Sequence, residues 1–222
     1  MALLPTSDLN NPDTFPSFSN LPAEYEIRDT YLPSANPRKH WCFLGRVVSS
    51  GVLVRLALDV EDKEGHKFLV AFHTDDRGAA FQGLCNAGST IAVLYATQHI
   101  FAFSPPGLRL EESAHVKVFP YTLEKMLETS KELFEKAEAR RCEVCGTLGT
   151  MDVPMKKCGR CKGACGMTEL LQTCQTSAWA THKNKCPIFR DVQWFVSRNW
   201  ETGNNTHSFP VERASWKGLW RH

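Results

Sequence analysis

The chain has 222 residues, 42% hydrophobic and 23% charged. That is an ordinary globular balance, which excludes a wholly unfolded chain and allows one large domain or two small ones. The formal net charge of +2 by itself points to neither nucleic acid nor a membrane surface. No apolar stretch approaches the ~20 residues of a bilayer-spanning helix. Met1 to Pro5 is too short for a signal-peptide core and lacks a basic start, so a nuclear or cytoplasmic chain without a membrane partner is expected.

Residues 1–40 carry six of the twelve prolines together with many Asn and Ser, the composition of an extended or disordered arm. Residues 41–120 read as β-rich. Val52, Val54, Leu56, Leu58 and Val60 alternate with Leu53, Arg55, Ala57 and Asp59, the period-two pattern of a strand. Glu61 to Gly65 reads as a hairpin turn, and Phe68, Val70 and Phe72 as the return strand. Gly78 to Leu84 suits a short helix. Ile91, Val93 and Tyr95 alternate again, and Leu108 to Leu110 and Val116 to Phe119 give two further short strands. This set of short strands broken by one short helix is read as an OB-like barrel.

Residues 121–141 predict an amphipathic helix. Thr122 can cap it, Glu124 lies in its first turn, and Leu123, Met126, Leu127, Leu133, Phe134 and Ala137 form one stripe that would pack on the barrel. Glu132 and Lys136 are an i,i+4 pair. At the other end, residues 187–222 hold four of the six tryptophans: Trp194, Trp200, Trp216 and Trp220. Left unpacked they would form an exposed apolar patch, so they are expected to cover the core or an interface.

Between these segments, residues 142–186 contain seven of the nine cysteines. In order, the donors are Cys142, Cys145, Cys158, Cys161, Cys165, Cys174, His182 and Cys186. A chain kept under reducing conditions would not spend them on disulfides, and a redox role needs one exposed pair rather than eight donors. Thiolate and imidazole are preferred zinc donors, and eight ligands suffice for two closed tetrahedral sites with no open position for catalysis. His182 and Cys186, four apart on a helix expected over Trp179 to Lys185 and stopped by Pro187, share a face and can chelate together. A structural zinc contributes roughly 10–16 kcal/mol in small finger peptides. It would replace the aliphatic core that this segment lacks.

Ligand order then carries a resemblance. Histidine stands seventh and cysteine last, and Cys174-Gln175, Trp179 and His182-Lys183-Asn184-Lys185-Cys186 resemble the ending of the MYND zinc finger. The resemblance covers about 45 residues, 142–186. More weakly, Gly88 to Pro120 looks like the region preceding MYND fingers in some fungal proteins. It implies two Zn2+ ions held alternately, one by Cys142, Cys145, Cys165 and Cys174, the other by Cys158, Cys161, His182 and Cys186. The chain departs from the family pattern between Cys165 and Cys174, where eight residues replace three. The resemblance also implies a protein-interaction module, an adaptor or regulator of the kind found in transcription regulation. Such a module binds short proline-containing peptides, here through Gln175 and Trp179.

The expected architecture is therefore α+β: an OB-like barrel, a helix and a zinc-stabilised finger, with no enzymatic activity. Two other readings compete. Single-stranded nucleic acid could bind the barrel, yet residues 38–120 carry nine Lys/Arg against eight acids, and Phe68, Phe72 and Phe101 sit in core-like alternation. A methyltransferase-related fragment lacks room, since only 36 residues follow Cys186 where the catalytic core would continue. Eight Lys/Arg against three acids in Arg140 to Cys186 mainly offset the thiolates, because seven thiolates and two Zn2+ add −3.

Overall fold

A computed structural model of the protein describes residues 7–25, 39–139, 158–161, 172–201 and 206–210. Seven strands form one sheet: β1 (Cys42–Val52), β2 (Leu56–Asp62), β3 (Lys67–Phe72), β4 (Thr90–Leu94), β5 (Gln98–His99), β6 (Gly107–Leu110) and β7 (Val116–Phe119). Two helices follow, α1 (Leu123–Ala139) and α2 (Gln172–Val196). The predicted short helix is a single 3-10 turn, Ala79–Phe81.

Strand order across the sheet is β5-β6-β3-β2-β1-β4-β7. In a flat sheet β6 and β7 would stand five strand spacings apart, about 24 Å. The chain from Leu110 to Val116 can reach at most about 21 Å. The sheet therefore has to curl, and it does so into a half-barrel. β3 pairs with β6 in parallel, while β1 pairs antiparallel with both β2 and β4, an order that fits the expected OB-like part.

One sequence reading is corrected here. Val52 to Val60 is not one strand: Val52 ends β1, Val54 lies in the hairpin tip, and the inward alternation starts at Leu56. The eleven-residue β1 carries no period-two signal in its first half because Cys42 to Val47 is almost wholly buried and so shows no alternation. Strands covered on both faces read as continuous apolar runs. β4, buried at all five positions, is the same case.

Two cores follow from that double burial. Phe43, Val47, Leu58, Val60, Val70, Phe72, Ile91 and Val93 fill the concave side. Cys42, Leu44, Ala92 and Leu94 face the other way, onto α1, α2 and the N-terminal segment. Thr122 caps α1 as expected, accepting from the Lys125 N–H at 3.3 Å. Leu123, Met126 and Leu133 of its stripe are buried in this second core. Glu132 meets Lys185 of α2 at 3.3 Å, whereas the side chains of Lys136 and Ala137 lie outside the described residues.

The N-terminal segment does not stand free over residues 7–25. Leu9, Phe15 and Leu21 are buried. Ser130 Oγ accepts from the Leu9 N–H at 3.1 Å and Asp62 from the Phe18 N–H at 2.9 Å. Proline and Asn/Ser content measures helix and strand propensity, not burial, and these few apolar side chains suffice to dock the segment. At the other end Trp200 is buried and Trp194 packs on Phe195 and Phe209; Trp216 and Trp220 lie outside the described residues.

Tyr95 ties the parts together. It holds a positive φ of 56°, uncommon for a residue with a Cβ. Its hydroxyl contacts His40 Nδ1 at 2.7 Å and accepts the His207 N–H at 2.7 Å, with His115 edge-on to its ring at 5.3 Å. Burial holds the pKa values of His115 and His207 below the ordinary histidine value. The folded protein thus binds fewer protons than the unfolded chain at these sites. Their contribution to stability is complete above the unfolded value of about 6.5 and is lost as pH falls below it. Chemical denaturation should give lower stability at pH 5.5 than at 7.5, and His207→Gln should reduce that difference. A second outcome concerns packing: Phe195→Ala, at a side chain with no exposed surface, should cost about 3–5 kcal/mol of unfolding free energy.

Candidate metal centre

Two short pieces of chain build the centre. The turn at 158–161 carries Cys158 and Cys161 three positions apart, so one tight turn aims both sulfurs the same way. α2 carries His182 and Cys186, which 3.6 residues per turn place one above the other on a single face. All four are buried, and their ligand atoms lie within 4.8 Å of one another. Cys158 Sγ is 3.8 Å from Cys186 Sγ, and Cys161 Sγ is 3.6 Å from His182 Nε2.

Those distances test what the site can hold. Zinc bonds of about 2.3 Å to sulfur and 2.0–2.1 Å to nitrogen give tetrahedral edges of about 3.8 Å between sulfurs and about 3.6 Å from sulfur to nitrogen. The observed separations match those edges. A disulfide needs about 2.05 Å, and both cysteines of the 3.8 Å pair are free thiols. Three sulfurs and an imidazole are soft donors, which favour Zn2+ over a hard cation. The donor set is closed, leaving room for structure rather than catalysis.

Electrostatics agree with a cation. Burial first, then the neighbouring Cys161 and Cys158 sulfurs, push the Cys186 thiol up to about 12. Three sulfurs packed out of water cannot all ionise against one another; a divalent ion that replaces their protons removes the conflict. Around the ligands, Phe189 stacks on the His182 ring at 5.7 Å and 9°. Trp179 lies 6.0 Å from it on the outer side. Phe189 is in the core, and Trp179 is 48% exposed.

The eight expected ligands divide as follows. Cys158, Cys161, His182 and Cys186 come together as one set. Cys174 is buried on the same helix but is not a member of that group among the described residues. Cys142, Cys145 and Cys165 lie outside the described residues. Gln175 belongs to α2, with its side chain outside the described residues.

Pro187 is the clear departure from the sequence reading. It does not stop the helix; α2 runs through it as one element of 25 residues. A proline there removes the bond to the carbonyl of Lys183 and costs about 3 kcal/mol. Burial of His182 and Cys186 before it, and of Ile188, Phe189, Val192, Phe195 and Val196 after it, holds the helix across the defect. The apolar spacing after Pro187 was a usable signal for this continuation.

A second group, Asp62, Glu64 and His66, also clusters. Asp62 is already occupied, accepting the backbone N–H groups of Phe18, Glu64 and His66, so it closes a hairpin turn and is no metal candidate. No described helix is long and apolar enough to cross a membrane.

No family model matches the chain, and no curated protein matches it. Among solved structures, Schizosaccharomyces pombe Pot1pC bound to ssDNA is similar at 10% identity and a TM-score of 0.31, over 46% of this chain and 96% of that one. A likeness that slight decides neither fold nor ligand.

Substitution of the metal tests the centre directly. Cobalt-loaded protein should show tetrahedral d–d bands and thiolate charge-transfer absorption that Cys186→Ser and His182→Ala weaken or abolish. Cys85→Ser, at a buried lone thiol raised to about 11 by burial, should leave them unchanged.

Proposed function

We propose that this chain is a protein-interaction module, an adaptor or regulator without enzymatic activity, in which an OB-like half-barrel carries a MYND-type zinc finger. The observation that supports this reading is the Cys158, Cys161, His182, Cys186 cluster with the half-exposed Trp179 one turn ahead of His182. The metal would clamp the N-terminal half of α2 and hold the Trp179 indole against the His182 ring. That fixes a large flat apolar surface at the protein–water boundary. A proline ring stacks well on such a surface, and an extended proline-rich peptide loses little entropy on binding.

Gln175 lies four residues before Trp179 on the same helix, where its amide could bond a peptide backbone. On the same reading Cys142, Cys145, Cys165 and Cys174 hold a second Zn2+, and the basic residues around both ions offset the thiolates. A tryptophan that served only the finger's own packing would be covered rather than half in water, which favours an outside partner.

The test is binding of the zinc-loaded chain to an array of 15-residue peptides with one or two prolines at varied positions, followed by titration calorimetry of those retained. Trp179→Ala should weaken binding at least tenfold while leaving zinc content and melting temperature unchanged. Retention of full affinity by that variant would overturn the assignment. Chelation should abolish binding and remove helical signal from α2 while most of the sheet signal persists.

A further inference from the structure

Open strand edges invite pairing with other chains, and those at the two ends of this sheet are guarded. β5 is two residues long and is covered by the N-terminal segment. Ala23 bridges to Gln98 there, and Gln98 Nε2 donates to the Phe18 and Leu21 carbonyl oxygens at 3.0 and 3.1 Å. β7, at the other end, carries Lys117 and stops before Pro120. β1 is different. β4 pairs with it only from Cys42 to Arg46, and two further bonds join Val47 to Ser89 and Gly88. The register against β2 then shifts between Val47 and Ser49. From there to Val52, β1 has β2 alone beside it among the described strands.

Which backbone groups of that stretch face outward follows from one hydrogen bond. The Asp62 N–H donates to the His66 carbonyl at 3.0 Å. Asp62 thus bonds toward β3, and by alternation so do Val60, Leu58 and Leu56. The residues between them, Asp59 and Ala57, bond toward β1, where they stand opposite Ser49 and Gly51. Ser50 and Val52 therefore turn their N–H and C=O groups away from the sheet. Nothing in the side chains blocks an approach to them. Val48 to Val54 is exposed at every position, Leu53 at 96%. The run reads Val-Ser-Ser-Gly-Val-Leu-Val, with neither charge nor proline. It has apolar, β-branched residues that favour pairing and lacks the charges that keep edges apart.

We infer that this edge of β1 pairs antiparallel with the same edge of a second copy of the chain, about a two-fold axis at Ser50. The near-palindrome of the segment selects that occupant. Around Ser50 the pairing sets Val52 opposite the partner's Val48 and Gly51 opposite the partner's Ser49, branched side chain on branched and small on small. At the axis the two Ser50 residues can exchange both backbone bonds. No like charges oppose each other along the run. Arg46, just outside it, is held by Glu61 at 2.9 Å, and Asp59 is occupied by the Ser49 hydroxyl at 2.5 Å. A charged peptide would find nothing along this edge to answer its charge. The pairing is isologous, so it consumes the edge of both copies and stops at the dimer. Its size sets its strength. Seven residues a side, Val48 to Val54, is small against the ~20–30 of a stable complex, and a dissociation constant of about 10–100 µM is expected. None of these residues belongs to the finger, so failure here leaves the peptide reading standing, and the reverse holds too.

Sedimentation velocity of the zinc-loaded full chain, at concentrations from about 5 to 200 µM around that constant, tests the pairing. A reversible monomer–dimer equilibrium is expected, with no larger species. Ser50→Lys and Ser50→Glu each set like charges directly across the axis. Each variant alone should keep the wild-type melting temperature, since the position is exposed, and should lose the dimer at least tenfold in affinity. An equal mixture of the two should dimerise again, at least as tightly as the wild type. That rescue is what a second copy gives and a foreign peptide on the same edge does not. Trp179→Ala should dimerise as the wild type does. A wild-type chain that stays monomeric throughout the range, assembly that continues past the dimer, a dimer unchanged in both Ser50 variants, or a mixture of them that stays monomeric would overturn the inference.

Discussion

The convergence of three buried sulfurs and one imidazole is the constraint on which the helical half of the molecule depends. Burying polar groups without partners is costly, and burying several that repel when ionised costs more. A tetrahedral cation would remove that conflict. It would also span the chain: Cys158 and Cys161 come from a turn, His182 and Cys186 from α2, so one ion would brace a helix that contains a proline. The cysteines of this set are not an appendage of the core but members of it, packed with Leu123, Met126, Phe189 and Val192.

That membership joins the metal centre to the sheet. β1 and β4 present Cys42, Leu44, Ala92 and Leu94 outward to the helices and Phe43, Val47, Ile91 and Val93 inward to the half-barrel. The two strands are thus a shared wall between two cores. The segment at 7–25 then laces α1 to the β2–β3 turn through Ser130 and Asp62, and Tyr95 links the His40 end of the barrel to the tail at His207. Apolar burial dominates both cores. The polar contacts fix where the connecting segments lie, since buried donors left unpaired would disfavour any other arrangement.

The exposed ring of the helical half sits at the same junction. Trp179 lies 6.0 Å from the His182 ring, with about half its surface in water, while Phe189 covers the other face of that imidazole from within the core. The proposed peptide surface and the candidate metal centre therefore share one side chain, His182, and depend on one stretch of α2.

Residue spacing supplied the two halves of the set that comes together here, because chelation is local: a Cys-x2-Cys turn and an i,i+4 pair on a helix each aim their donors the same way in almost any fold, while the pairing of the two halves was implied only by the resemblance to the MYND ending. The inward alternation of Leu56, Leu58 and Val60, the Phe68 to Phe72 return strand and the Thr122 cap were legible for the same reason, each being decided by neighbours a few residues away. Only the tertiary structure decided the rest. It buried the first half of β1 and all of β4 on both faces, which erases alternation; it carried α2 through Pro187, where core packing outweighs one lost hydrogen bond; it docked Leu9, Phe15 and Leu21 of a proline-rich segment. It also set the exposure of Trp179. Each depends on partners distant in sequence, and burial is a property of those partners, not of the residue itself.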